Sequence, residues 1–267
     1  YVMDKPTGLF AEMVYANDTL LPKPMELNIW RAPTDNDRNV RQEWERAAYH
    51  RAHARAYSVD ASLEDGKAVI RCAMSVVADT VQRILTVNTL WTVGADGAVD
   101  VAMDCAFDTR MPFLPRFGLR LFLPKGMDQV QYLGYGPYES YVDKRRASYK
   151  ARFSSPVKAL HENYLKPQEN GGHYGCDWVE LSGATGAALR CQGEKPFSFN
   201  ASVYTQEELT QKQHSFEIEE SPYTVLCLDY KQSGIGSNSC GPRLIKKYRL
   251  DEERFTFTLR LSPTVKK

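Results

Sequence analysis

Long stretches of strict two-residue alternation limit the folds open to this chain more than any other feature. In Val99–Asp108 the apolar residues Val99, Val101, Met103, Cys105 and Phe107 point one way, while Asp100, Asp104 and Asp108 point the other. Near the C-terminus Phe255, Phe257, Leu259 and Leu261 alternate with Thr256, Thr258 and Arg260. Successive side chains of a strand leave opposite faces, so both stretches read as half-buried strands of an antiparallel sheet. Leu119-Arg120-Leu121-Phe122-Leu123 and Phe197–Val203 read the same way. Asp65-Gly66 and Asp96-Gly97 supply the positive-φ residues that hairpins require. Many short strands separated by turns predict an all-β chain, a large antiparallel β-sandwich or barrel.

One or two short helices interrupt the strands. Val40, Trp44, Ala47 and Ala48 form an apolar stripe at helical spacing, which predicts a helix over Val40–Ala56 with Asn39 as its N-cap. A second helix is expected over Thr205–Gln213. No internal repeat or Gly/Ser linker divides the 267 residues, so the chain reads as a single domain. A net charge of +1 provides no attraction for nucleic acid, and Arg41, Arg46, Arg51 and Arg55 are offset by Glu43 and Glu45. No apolar run approaches the ~18 residues of a membrane span. The six cysteines lack CxxC spacing, so they read as unbridged thiols rather than zinc ligands, and the compartment stays open. The start at Tyr1, without an initiator methionine, reads as a piece of a longer protein.

Catalytic motifs are sparse. Gly134-Tyr135-Gly136-Pro137 and Gly234–Pro242 are glycine-rich, but neither has the pattern of a phosphate cradle; both read as bent loops. Carboxylates cluster at Asp35-Asn36-Asp37 and around Glu139, Asp143 and Glu169. Glycosidic chemistry needs two carboxyls flanking one bond, yet Asp-Asn-Asp after Ala-Pro is also a common turn. Trp30, Trp178, Tyr132, Tyr135, Tyr138 and Tyr141 supply the aromatic faces that cover sugar rings, or equally the core.

Trp30-Arg31-Ala32-Pro33-Thr34-Asp35-Asn36-Asp37 resembles a signature of the C-terminal small-chain domain of family 2 β-galactosidases. Leu133–Lys144, Pro167-Gln168-Glu169-Asn170-Gly171, Phe199–Tyr204 and Gly234–Pro242 are similar to further motifs of that domain, in the same order. Ser140 and Lys144 stand where Asn and Arg are usual, and an ammonium cannot pair bidentately as a guanidinium does.

The resemblance implies a galactose mutarotase-like supersandwich. It also implies a larger, homo-oligomeric enzyme whose catalytic glutamates lie on an upstream (β/α)₈ barrel, with further sandwich domains in the same chain. No catalytic residue is then expected here, and no metal; the family's Mg and Na ions belong to other domains. The β-galactoside would meet two elements of this chain. One is the tip of the last long loop, Asn238, Ser239 and Cys240, where relatives place tryptophan or cysteine against the sugar. The other is the Arg38–Gln42 loop, with Asn39 and Arg41. A buried structural role for Cys240 is the competing reading. Two further alternatives are a stand-alone carbohydrate-binding module and an aldose epimerase using His161, His173 or His214 with Glu169.

Overall fold

The structure is a computed structural model that describes residues 1–79, 81–236 and 240–265. In chain order the strands are β1 (Val2–Asp4), β2 (Leu9–Tyr15), β3 (Asp18–Leu21), β4 (Lys23–Asn28), β5 (His53–Glu64), β6 (Lys67–Ala78), β7 (Val81–Val93) and β8 (Val99–Phe107). They continue with β9 (Arg116–Pro124), β10 (Gln129–Gly136), β11 (Tyr149–Pro156), β12 (Gly172–Ser182), β13 (Ala187–Ser202), β14 (Tyr223–Gln232) and β15 (Arg254–Val265). Two α-helices are present among the described residues, α1 (Val40–Arg46) and α2 (Gln206–Gln211). Every strand pairing is antiparallel. The all-β expectation holds.

β13 is what turns one sheet into two layers. Its first half pairs with β15 (Ala187↔Val265 through Gly193↔Leu259), and its second half pairs with β14 (Ser198↔Asp229 through Ser202↔Val225). At the junction a Cβ on Gly193 would lie 2.3 Å from the Lys195 carbonyl oxygen, so only glycine permits the bend. One branch then runs β15-β8-β7-β6-β5 and the other β14-β9-β4. Phe255 of β15 meets Phe117 of β9 edge-on at 5.1 Å and stacks on Tyr230 of β14 at 4.7 Å, closing the core between the branches. The small β1-β2-β3 sheet joins the same core through Phe10, whose ring lies 5.2 Å from that of Trp91.

The expected strands appear, and β8 and β15 carry the faces assigned to them. Val99, Val101, Met103, Cys105 and Phe107 are buried, as are Phe255, Phe257, Leu259 and Leu261. Asp65 and Gly66 both have positive φ and join Glu64 to Lys67 in a two-residue hairpin. Two expected strands are instead buried on both faces: the second half of β13, where Ser198 and Asn200 are buried beside Phe197 and Phe199, and β9. Arg120 does not face solvent there: it donates to Glu26 and, at 2.7 Å, to Glu207.

The first helix is shorter than the stripe predicts. It ends at Arg46; Ala48 adopts left-handed φ, a single 3₁₀ turn follows, and β5 begins at His53. Val40 and Trp44 are buried as expected, with Trp44 Nε1 donating to the Phe113 carbonyl at 2.8 Å. Asn39 stands at the N-cap position in helical backbone geometry, without the side-chain cap. The second helix forms where it is expected but is shorter, Gln206–Gln211, with Thr205 as its N-cap, Oγ1 accepting from the Glu208 amide at 3.1 Å, and Lys212 already extended.

Candidate functional site

Loops that are distant in sequence meet at one end of the layers, and buried arginines hold them. Arg31 is fully buried. Its Nε and Nη2 reach Asp37 at 3.1 and 2.7 Å, and its Nη1 and Nη2 donate to the carbonyls of Ser233 and Gly234 at 2.5 and 3.0 Å. Asp37 in turn accepts from the Thr34 amide at 2.9 Å. The Asp-Asn-Asp stretch is therefore a short 3₁₀ turn serving structure, as its turn reading predicts.

Arg116 anchors the next loop. It pairs bidentately with Asp229 at 3.0 and 2.6 Å and with Glu169 at 3.0 Å, all three groups being buried. Burial alone would lower the guanidinium, but the facing carboxylates hold it protonated well above its usual range. Burial raises the carboxyls of Glu169 and Asp229, and Arg116 opposes that rise. The Glu169 amide donates to Ala32 O at 2.9 Å, and Gln168 bonds both the amide and the carboxylate of Asp35 at 3.0 and 3.2 Å. The Pro167–Gly171 loop is thereby stitched to the Arg31 loop.

A third strut comes from the segment after β10. The Asp143 carboxylate accepts from the amides of Ile235 and Gly236 at 3.0 and 2.9 Å. A Cβ on Gly234 would come within 2.4 Å of that carboxylate, which requires glycine there. Glu139 accepts from Lys144, from Tyr164 and, at 3.0 Å, from the Gly171 amide. Burial would lower the Lys144 ammonium, but the bonds to Glu139 and Tyr164 keep it above its usual range. Lys144 thus pairs with Glu139 through its single nitrogen. Gly134 and Gly136, read above as part of a loop, instead end strand β10.

Two segments form the outer rim of this cluster. Asn36 Nδ2 donates to Ile235 O at 2.7 Å, and Arg243 Nη2 reaches Glu43 Oε2 at 2.6 Å. Both ends of the last long loop are therefore fastened to the 36–43 segment. Asn39 is exposed there. Arg41 is half-exposed and its Nε is engaged with Glu45 Oε1 at 2.6 Å, an i,i+4 pair along α1. Arg38–Gln42 is not an open loop, because its last three residues are the first turn of α1. Cys240 is exposed, which overturns the buried-thiol reading. The other five cysteines are buried and unbridged, and burial pushes the Cys227 thiol up to about 12. Asn238 and Ser239 lie outside the described residues.

Half of the six aromatic candidates turn out to be core: Trp30, Tyr132 and Tyr141 are buried, Tyr135 and Trp178 are half-buried, and Tyr138 is largely exposed. Residues that sequence reasoning did not select carry the framework. Asp229 and Ser233 lie 113 and 202 residues from their arginines, and no local pattern marks them. Among the described residues, no three His, Cys, Asp or Glu side chains converge as a metal-binding set.

Comparison with known proteins places this architecture. A family model described as beta galactosidase small chain matches residues 1–261. The β-galactosidase of Actinobacillus pleuropneumoniae is 44% identical over 255 residues, covering 96% of this chain and 25% of the relative. That of Staphylococcus xylosus is 35% identical over 261 residues, covering 98% and 26%. The chain thus spans about a quarter of the length of these curated relatives. Among solved structures, α-N-acetylgalactosaminidase NagBb from Bifidobacterium bifidum superposes on 98% of this chain and 34% of its own. The TM-score is 0.50 at 12% identity, a likeness of fold alone.

Proposed function

This chain belongs to the β-galactosidase small-chain family, and from that premise we propose that it forms one wall of the sugar site in a larger retaining β-galactosidase. The parent enzyme would remove terminal non-reducing β-D-galactose, with a (β/α)₈ barrel elsewhere in the polypeptide supplying both the general acid and the nucleophile. Any Mg or Na ions the parent uses would be held by its other domains.

One observation carries this reading: of the candidate carboxylates, Asp37, Glu139, Asp143 and Glu169 are committed to structure, and the exposed Asp35 accepts from Gln168 at 3.2 Å. Asp37 is engaged by Arg31, Glu169 by Arg116, Glu139 by Lys144 and Tyr164, and Asp143 by two backbone amides. On the fastened rim Asn39 and Cys240 are exposed, and Asn238, Ser239 and Arg41 belong to the same two segments of the sequence. We assign these residues to the substrate-facing edge. The epimerase alternative is disfavoured by the same geometry, because His173 is buried in a ring stack and Glu169 is locked to Arg116.

A chromogenic β-galactoside tests the proposal. The 267-residue chain alone should show no turnover, while the full-length enzyme carrying it should. Turnover that copurifies with the isolated chain would refute the assignment. Binding of galactose in the micromolar range by the chain alone would favour a binding module, since one wall of a site cannot enclose a ligand that tightly.

A further inference from the structure

Two ends of the large sheet are guarded, and a third is open. The sheet ends in β4, β11 and β5. An open edge is a template for another strand, and proteins blunt it with proline, lysine or a covering segment. β4 contains Pro24, and β11 carries Lys150 and Arg152 and closes on Pro156. β5 is covered in its first half, where the Pro6 carbonyl accepts from the Ala56 amide at 2.8 Å. A bulge at Tyr57 then shifts the register, and Ser58–Glu64 continues with neither proline nor lysine. Every residue of that stretch except Val59 is exposed, including the aliphatic Leu63 at 79%.

The hairpin dictates which backbone groups face outward. Across a two-residue turn the flanking residues exchange both of their hydrogen bonds, so Glu64 bonds Lys67, and every second residue back along the strand repeats the pattern. Ser62, Asp60 and Ser58 therefore bond β6 opposite Val69, Arg71 and Ala73. Val59, Ala61 and Leu63 point their N–H and C=O groups away from β6, a donor and an acceptor apiece. Among the described residues no strand lies on that side, and none of the three has a hydrogen bond there. Their side chains share one face of the sheet, because they alternate with Asp60 and Ser62.

This edge is complementary to itself. When two copies are placed antiparallel about a two-fold axis at Ala61, Ala61 meets Ala61 and Val59 meets the second copy's Leu63. Each of these outward donors then finds an outward acceptor, and the exposed leucine lies against valine. The intervening pairs set Asp60 opposite Ser62 and Ser58 opposite Glu64, so no like charges are directly opposed. A slide of two residues either way leaves one of the three outward residues outside the pairing. It also sets Asp60 against Asp60 or against Glu64 of the second copy, which is repulsive.

We propose that the Ser58–Glu64 edge of β5 is a self-association surface, on which a second copy of this chain adds its own β5 antiparallel about an axis at Ala61. So short a segment is well below the roughly 20–30 residues a side of a stable interface. The dimer is therefore weak, with a Kd on the order of 100 μM.

Sedimentation of the 267-residue chain from about 10 μM to about 1 mM should show a monomer–dimer equilibrium. Amide exchange followed by NMR should slow severalfold at Val59, Ala61 and Leu63 as concentration rises. Asp60 and Ser62, already bonded to β6, should change little. Ala61→Pro removes the central outward N–H and no bond to β6, a position where an edge strand accepts proline. Leu63→Lys puts a common edge guard in place of an exposed side chain. Both should raise the Kd at least tenfold and leave the melting temperature of the monomer within about 3 °C. Should Ala61→Pro lower that temperature further, Leu63→Lys alone decides. The proposal is overturned if the chain stays monomeric at about 1 mM, if dimerisation survives Leu63→Lys, or if a dimer forms without slowing the three amides, which is the result expected of another surface.

Discussion

Replacing Arg116 with methionine asks whether buried ion pairing, rather than local turn chemistry, fixes the Pro167–Gly171 loop. The guanidinium makes two bonds to Asp229 and one to Glu169, and all three side chains are at most 4% exposed. Methionine restores much of the apolar volume but leaves two carboxylates buried without their cation. Removing one partner of such a pair costs about 3–5 kcal/mol. At about 2–4 °C per kcal/mol for a chain of this size, the melting temperature should fall by about 6–20 °C at pH 8. Acid should relieve part of that loss. Burial already holds both carboxyls above their ordinary range, and without Arg116 they rise further. A carboxyl raised in the folded state contributes stability that is fully present below its unfolded pKa and is lost as pH rises through its folded one. The penalty should therefore shrink as pH falls toward about 4. Urea denaturation of both proteins across this range measures it. A loss below about 1 kcal/mol at pH 8, or a penalty that stays constant in acid, would refute the reasoning.

Other substitutions probe different parts of the molecule. Cys240→Trp in the full-length enzyme should lower KM by up to about tenfold, since an aromatic contact contributes about 0.5–1.5 kcal/mol beyond burial; the melting temperature should barely move, because the position is exposed. A large loss of stability with an unchanged KM would remove Cys240 from the substrate edge. His173 titrates near 4 when folded against 6.5 unfolded, so the unfolded chain takes up its proton first. Stability should fall by about 3 kcal/mol between pH 6.5 and 4 on this account, and His173→Phe should flatten that part of the urea midpoint profile. Gly118→Ala should destabilise by about 3 kcal/mol, because its Cβ would lie 2.0 Å from Leu228 O and would force β9 away from β14. A thermal melt matching the parent would show that the sheet yields there.

The sequence was most readable where one face of a strand meets water. The Asp100 and Asp104 side of β8 marks its own exposure, and the Asp65-Gly66 hairpin needs only local φ preferences. Legibility failed where charge is buried. Arg120 interrupts a leucine run as a solvent-facing residue would, yet Glu26 and Glu207 receive it from 94 and 87 residues away. Helix α1 was overextended for a related reason: the apolar stripe records burial through Ala48, whereas the chain reversal at Ala48 depends on a left-handed backbone that alanine does not advertise. In the candidate site, the Arg31–Asp37 pairing spans six residues and belongs to a visible motif. The Arg116–Asp229 pairing spans 113 and emerges only from the register of β9 against β14.

The way the last long loop is held has a consequence for how such a protein diversifies. Arg31 grips the carbonyls of Ser233 and Gly234, and Asp143 grips the amides of Ile235 and Gly236. Apart from the glycine demanded at 234, these contacts read main chain alone and are blind to side-chain identity. The socket can therefore stay constant while the residues that follow Gly236 are exchanged. On the proposed assignment of this loop to the substrate edge, mutations there would sample new sugar preferences while the socket contacts stay in place, so recognition and foldability can drift under separate selection.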